Sequence, residues 1–585
     1  MLVVAAPAVF GIACSSNTPG AGGGNPAGSG GKSGTGGTPG TGNTTGTGGR
    51  SAIGSGGSPN EGAGGTTGVA GSGGSTGGSG GSSGSGGSGS GGSSGRGGTS
   101  GSGGSSGQTG GAGSGGRIGS GTGGASETAG ITGSAGAPST GGMSGSGGGG
   151  TTCTPPPGAG GGNTTCSPPT PPSAKDSVTL DMAVAQGAPT YHGSGFIYGI
   201  SEDGTQPPTA LLSDIKVQGF RAGRGTSSQG CGQAAWDTRW KVIKGYYSKA
   251  KEMGVPLRMM VSEDYQYSCP LPGDGGDWTT FTAFMTQLIA EVQAAGMTGP
   301  DVRWELWNES DYTPTFWSGT QAQWLDTWKH AYQQIRAAIP GAIIEGPSLA
   351  SGAGGSYMNA FLDYAMTNNV MPDYIAWHEA GGGGDPVADL ATINRGLSTR
   401  GITGVKGFDI DEYGSKAEQN PGHSAWFLAR FARAGIEGLR SNWAGGSTFF
   451  SNMGDLVAAN WQPNSQYWIY KRYADQTGLR TSVTAGTQVD AVAYQDACAA
   501  KSIIVVGNKG GATGSVNVVI HNLPGWLQSG GSTKVLVENM PMGTAALSAP
   551  VVVSNAPAAV TCNALTVTIN WTIATDGYVV TLTPP

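Results

Sequence analysis

The chain has 585 residues, 115 of them glycine, and 66 of those glycines fall in residues 1–170. Against an average glycine usage of roughly 7%, that bias excludes a packed core from the first part, whereas all 15 tryptophans lie after residue 230, in a stretch ample for a large core. Only 11% of residues are charged, the net charge is −6 and no Lys/Arg cluster occurs, which excludes the basic face a nucleic-acid partner requires; the glycines keep no three-residue period, which excludes a collagen helix.

Residues 1–14 form a short apolar run, MLVVAAPAVFGIAC, too short to span a bilayer as a mature helix and similar to a secretory h-region. A cysteine directly after small residues resembles a bacterial lipoprotein processing site, although no Lys or Arg precedes the run and Gly11 stands where leucine is usual. The expectation is an exported chain, extracellular or at the cell surface, with a lipid on Cys14 as its membrane anchor and a cleaved signal as the alternative. Residues 15–172, with repeated GSGGS and GTGG units and a Pro-rich exit at Thr154–Pro172, are predicted to be a disordered tether. Its many G-x-G-x-x-G matches carry no weight, since none lies between a strand and a helix.

Setting Cys14 aside leaves six cysteines that fall into neighbouring pairs: Cys153 with Cys166, Cys231 with Cys269, and Cys498 with Cys562. This is the simplest disulfide pairing and it agrees with export. No C-x-x-C pair exists and the histidines are scattered, so no metal site is expected.

From about residue 176 to 480 short apolar runs alternate with helical patterns. The strand-like runs are FIYGIS at 196, GFRAGR at 219, PLRMMVSEDY at 256, VRWELWNE at 302, AIIEGPS at 342, DYIAWHE at 373, GFDIDEYG at 407 and GLRSNWAG at 438. Between them, Asp277 can cap a helix placing Phe281, Met285, Leu288 and Val292 on one face, and Thr320 one carrying Trp324, Trp328, Ala331 and Ile335. Eight strand-then-helix units match a (β/α)8 TIM barrel of residues 176–480, whose usual size is about 250 residues. A doubly wound sheet has fewer units and needs a phosphate loop after its first strand, which is absent; no cofactor is expected. Residues 484–585 are β-rich with Gly, Asn and Pro turns, the pattern of an antiparallel β-sandwich, to which the stretch Val178–Ala183 is expected to add a strand.

In such a barrel the site lies at the C-terminal strand ends. The fourth run ends in Trp307-Asn308-Glu309 and the seventh in Asp411-Glu412-Tyr413. Along the seventh, Phe408, Ile410 and Glu412 share one face and Asp409 and Asp411 the other, which predicts Glu412 on the inward side. Two glutamates across one barrel mouth, with Asn308 before the first, resemble clan A of the glycoside hydrolases. The segment Trp304-Glu305-Leu306-Trp307-Asn308-Glu309 is most similar to its xylosidase-type families, family 39 among them, which also join a barrel to a small β-sandwich. The resemblance covers residues 180–585. It implies a retaining glycosidase acting on a carbohydrate partner, with Glu309 as acid/base, Glu412 as nucleophile and Asn308 as donor to the sugar 2-hydroxyl. Ser310 stands where a proline often follows the acid/base.

Further substrate-side candidates are His378 at the end of the sixth run, Arg221 and Arg224 after the second, Asp264 and Tyr265 after the third, and Tyr413. An arginine beside the nucleophile would keep it ionised. Trp443, Trp377 and Trp317 are candidate stacking platforms for sugar rings, or core residues. Glu345, Glu379 and Glu263 are expected to be supporting polar groups. The chain is expected to act as a monomer. A catalytically inactive carbohydrate-binding or adhesive surface protein is the alternative function; a serine esterase is disfavoured, because the G-x-S-x-G matches lie in the tether and not on a strand-to-helix turn.

Overall fold

The computed structural model describes residues 166–223, 233–262, 270–381, 384–442 and 452–585. The expectations for Cys14, Cys153, Cys231, Cys269, Arg224, Glu263, Asp264, Tyr265 and Trp443, and for the tether up to residue 165, lie outside the described residues. Among those described, no helix is long and apolar enough to cross a membrane.

After a first strand, β1 (Asp176–Ala185), all eight predicted runs form parallel strands that close into a barrel. These are β2 (Gly195–Ile197), β3 (Phe220–Ala222), β4 (Leu257–Met260), β5 (Val302–Glu305), β6 (Ile343–Leu349), β7 (Tyr374–Glu379), β8 (Gly407–Tyr413) and β9 (Glu437–Arg440). Each is followed by a helix: α1 (Thr209–Asp214), α2 (Gln233–Met253), α3 (Thr279–Ala294), α4 (Gln321–Ala338), α5 (Ser356–Asn368), α6 (Pro386–Thr399), α7 (Pro421–Ala434) and α8 (Ser465–Ala474).

The helices follow their sequence patterns. Thr320 caps α4 by accepting the Gln323 N–H, and Trp324, Trp328, Ala331 and Ile335 are all buried. In α3 the apolar face is also the predicted one. Its cap is not: Trp278 holds that position and the Asp277 carboxylate accepts the Thr279 N–H at 2.8 Å, one residue ahead of the helix. An aspartate here closes a short turn onto the backbone two residues on, a geometry that competes with true capping.

The C-terminal strands are β10 (Leu479–Thr484), β11 (Val489–Asp496), β12 (Lys501–Asn508), β13 (Gly514–His521), β14 (Ser532–Met540), β15 (Val551–Ala559), β16 (Leu565–Trp571) and β17 (Gly577–Thr583). With β1 they form one nine-stranded sheet in the order β15-β14-β17-β12-β11-β10-β1-β13-β16. Val178 and Leu180 from β1, Val516 and Val518 from β13, and Leu565 from β16 share a core with Ile504, Val506 and Val580 from the other half. The sheet therefore folds over itself into two facing layers, as a sandwich requires. It begins earlier than predicted, at Leu479. β1 does join it, and runs parallel to β13 while its other pairs are antiparallel; the whole barrel separates β1 from β13, so no hairpin fixes their direction.

One disulfide joins Cys166 to Cys562, with 5.6 Å between the Cα atoms. Cys498 is disulfide-bonded as well. Neighbouring cysteines are therefore not the rule: the pairings Cys153–Cys166 and Cys498–Cys562 are replaced, because the tether exit runs to the turn before β16. The Asn517 side chain also donates to the Pro172 carbonyl, so the last residues assigned to the tether are pinned to the sheet.

The sheet docks on the barrel through β12, whose alternate residues serve two cores. Ile503 and Val505 join the barrel cluster, while Ile504 and Val506 face the sheet interior. At Gly507 the strand approaches α7 so closely that an added Cβ would lie 2.0 Å from the Trp426 backbone nitrogen. Gly507→Ala must push two backbones apart and is expected to cost about 1–3 kcal/mol of stability, the range for overpacking. Thermal denaturation of the variant beside wild type checks this; an unchanged Tm would contradict it.

Candidate active site

The site grows from the alternation of β5. Val302, Trp304 and Leu306 are buried against the helices, and the residues between them, Arg303 and Glu305, turn into the barrel. Beyond the strand the chain turns at Glu309, whose φ of 45° is unusual for a non-glycine residue and costs about 1–3 kcal/mol. Its N–H donates to the Ser348 carbonyl at 2.9 Å, which holds the turn against β6.

On β8 the predicted alternation fails, for a definable reason. Ile410 pairs with Trp377 and Glu412 with His378, so β8 spends two residues where β7 spends one. This bulge brings Asp411 and Glu412 onto the same interior surface. Asp409 and Asp411, predicted to face outward, are fully buried among interior arginines and His378. Glu412 reaches the inside because of the bulge, not through parity with Phe408 and Ile410.

Arg221 organises this cluster. It is fully buried; its Nε donates to Glu305 Oε2 at 2.6 Å and its Nη1 to Glu412 Oε2 at 3.2 Å. Its Nη2 donates to both Glu305 Oε1 and Asn308 Oδ1 at 2.5 Å. His378 completes the site: its Nδ1 is 2.7 Å from Glu309 Oε1 and 3.6 Å from Glu412 Oε2, and its Nε2 is 3.3 Å from Asp411 Oδ1. Ser348 Oγ donates to Asp411 Oδ2 at 2.6 Å. One oxygen each of Glu309 and Glu412 and a nitrogen of His378 all lie within 4.8 Å of one another. Both glutamates keep a little solvent contact, 14% and 17% of the side chain, while the groups beneath them have none.

Burial alone lowers the pKa of His378, but the Asp411 and Glu309 carboxylates outweigh it and hold the imidazolium well above the ordinary histidine range. Burial also pushes the Glu305 carboxyl up, to about 7, with Arg221 pulling against it. Asp411 is held below the usual carboxylate range: His378 and Arg221 more than offset its burial.

A second charged layer lies deeper in the barrel. Arg258 Nε donates to Asp409 Oδ2 at 2.7 Å, Arg303 contacts Glu345 and Asp409, and both arginines reach Glu437. Glu345, expected as a supporting polar group, belongs here. Two sets offer metal-ligand spacing, Glu305–His378–Asp411 and Glu309–His378–Glu412. Arg221 already occupies oxygens of Glu305 and Glu412, so a cation would have to displace it.

Of the remaining predicted residues, Arg221, Asn308, His378, Glu309 and Glu412 converge, and several others do not. Trp377 and Trp317 are fully buried, their indole N–H groups bonded to Glu379 and to the Thr320 carbonyl; neither leaves a ring face for a sugar. Tyr413 follows the bulge and points away from the mouth, its hydroxyl against the Gly193 carbonyl and Tyr470. Glu379 is buried at the outer side of β7 with its carboxyl raised by burial and by Asp389. Glu305 and Ser348 were given no role from sequence. The alternation of Arg303 and Glu305 with Val302, Trp304 and Leu306 is the signal that marks Glu305 as interior.

Fold and site together define a parallel barrel with two paired carboxylates, an arginine and a histidine at its C-terminal mouth. No family model matches the chain. A 3-O-α-D-galactosyl-α-L-arabinofuranosidase of Bifidobacterium longum subsp. longum is 24% identical over 358 residues, covering 54% of this chain and 30% of that protein. The chain thus matches less than a third of that curated relative's length. Among solved structures, N2152 from Neocallimastix frontalis is 24% identical with a TM-score of 0.58, covering 70% of this chain and 100% of that one, a likeness of fold. A monomeric β-xylosidase from Caulobacter crescentus is 14% identical with a TM-score of 0.49, over 70% of this chain and 99% of that one.

The raised pKa of His378 carries a sign. Its folded value exceeds the unfolded value of about 6.5, so the stability contributed by the cation is complete below that pH and is lost as the pH rises toward the folded value. The gap in denaturation midpoint between wild type and His378→Gln is therefore expected to be widest near pH ~6 and to narrow toward pH ~9. A gap that widened with pH would contradict the assignment.

Proposed function

We propose that the chain is a retaining glycoside hydrolase, with Glu412 as nucleophile and Glu309 as acid/base. The observation that carries this reading is the pairing of the two carboxylates within 4.8 Å at their nearer oxygens. Carboxylates whose oxygens approach within that bound suit the retaining arrangement, with carboxyls about 5–5.5 Å apart, better than the inverting one, which leaves about 6.5–9.5 Å for a water. Arg221, 3.2 Å from Glu412, stabilises the nucleophile as an anion. The 2.7 Å contact between His378 Nδ1 and Glu309 Oε1 fixes the acid/base carboxyl in place beside the nucleophile.

In the first step a Glu412 oxygen bonds to the anomeric carbon while the bond to the leaving oxygen breaks, and the proton of Glu309 passes to that oxygen. In the second, Glu309 takes a proton from water, the hydroxyl bonds to the anomeric carbon, and the bond to Glu412 breaks. Asn308 Oδ1 is taken by Arg221, and its Nδ2, without a partner among the described residues, is the donor left for a sugar hydroxyl. The alternative of a non-catalytic binding barrel is disfavoured by the presence of both carboxylates and of the arginine bonded to one of them. The arabinofuranosidase relative puts α-L-arabinofuranosides first among glycones to test, with β-xylosides, glucosides and galactosides behind them.

Export belongs to the same reading. The Cys166–Cys562 bond and the bonded state of Cys498 fit an oxidising compartment. Fatty-acid labelling in a bacterial host is expected to mark the chain and to vanish in Cys14→Ser; labelling that persisted would remove the lipid anchor.

The mechanism is tested on nitrophenyl glycosides. Glu412→Ala is expected to abolish turnover, and azide to restore a product of inverted configuration. Glu309→Ala is expected to keep forming the glycosyl-enzyme from substrates with good leaving groups, which need little protonation. Proton NMR showing an inverted first product from the wild type would overturn the assignment.

A further inference from the structure

Tyr312 stands one turn beyond Glu309 and is 44% exposed, the only aromatic side chain among the described residues that is open to solvent to this degree. Every tryptophan weighed from sequence as a platform, and described in the structure, is buried. A ring left in water three residues beyond Glu309, when the other described groups of the site are buried or nearly so, marks a binding surface.

The ring is held by a fixed loop. The Tyr312 N–H donates to the Glu309 carbonyl at 2.9 Å, and the Phe316 N–H to the Tyr312 carbonyl at 3.0 Å. Between Glu309 and Tyr312, the Asp311 carboxylate accepts the Ala350 and Ser351 N–H groups at 2.9 and 2.8 Å, tying this loop to the one after β6. The Tyr357 hydroxyl donates to the Ser310 carbonyl, and the Trp307 indole to the Phe316 carbonyl at 3.0 Å. Trp307 packs edge-on against Trp317 underneath, with ring centroids 5.0 Å apart. The Tyr312 and Phe316 rings are 6.1 Å apart. The surface is thus preorganised, and a ligand need not pay to order it.

We propose that Tyr312, flanked by Phe316, is the platform that receives the sugar on the leaving-group side of the scissile bond, an assignment that rests on the glycosidase reading above. The group that protonates the leaving oxygen must lie against the leaving sugar, so the loop that carries Glu309 is the part of the mouth that this sugar meets first. Its C–H face stacks on an aromatic ring, whereas a leaving group without a ring cannot. The platform therefore selects substrates with a second sugar over those without one.

The test compares a glycosyl fluoride, which lacks a leaving-group ring, with the disaccharide bearing the same glycone: xylosyl fluoride with xylobiose, and arabinofuranosyl fluoride with arabinofuranosyl-xylose. Tyr312→Ala is expected to raise KM for the disaccharide roughly fivefold to tenfold, the scale of one aromatic contact, and to leave the fluoride unchanged. Tyr312→Phe, which keeps the ring, is expected to match wild type on both. Equal losses on fluoride and disaccharide would mean that the residue only supports the loop, and an unchanged disaccharide KM would mean that no sugar rests there; either overturns the proposal. If the wild type turned over no fluoride, the glycosidase reading alone would fall. Calorimetric titration with xylohexaose would then decide: weaker binding by Tyr312→Ala keeps the platform, and affinity equal to wild type, or no binding by either, removes it.

Discussion

A guanidinium enclosed in the barrel is the constraint on which the mouth depends. Removing an arginine from water costs several kcal/mol unless its donors are met, and Arg221 meets them with Glu305 and Asn308 on the β5 side and Glu412 on β8. One side chain from β3 thereby sets the relative positions of two strand ends on other parts of the ring. The anions around it are just as dependent: Glu305 and Asp411 are buried to the same extent and have Arg221 and His378 as their cations. The positions of Glu309 and Glu412 follow from this balance more than from the strands themselves.

The deeper layer extends the same logic. Arg258 and Arg303 face Asp409, Glu345 and Glu437, so the interior of this barrel is charged where barrels are commonly filled by branched apolar residues. Hydrophobic burial is displaced to the outside of the strands, against the helices, and to the contact with the sheet. That contact also reaches the start of α6. Asp385, which caps α6 just after β7, is 3.7 Å from Arg430 of α7, and Arg430 is 3.1 Å from Asp490 of β11. Lys509, in the turn after β12, lies over the Trp426 ring. The start of α6 is thus braced by the β-domain.

The barrel and the sheet were legible because their periods differ and because turn residues punctuate them. The strand-4 motif made Asn308 and Glu309 legible, and Arg221 and His378 were found through their place at strand ends. Glu412 does lie inside, though not through the expected alternation, which has no means of showing the bulge between Ile410 and Glu412. The same bulge hid Asp411 and turned Tyr413 outward. Tryptophans misled because a large indole reads alike whether it is buried in the core, as Trp377 and Trp317 are, or meets a ligand. Nothing in the sequence marks Tyr312, because exposure is a property of the folded loop. The disulfide partners were hidden too: only the fold brings Cys166 within reach of Cys562, 396 positions away.

The placement of β1 has a mechanical consequence. The chain enters the sheet at β1, leaves it to build the whole barrel, and returns at β10. A pull acting at Cys166 is handed through the sulfur bridge to the turn before β16, and so enters the sheet at a strand from the far end of the sequence. β1 itself is gripped on both sides, by β10 and β13. Tension entering at Cys166 is therefore carried first by the sheet, and the barrel lies beside the line of force and not within it.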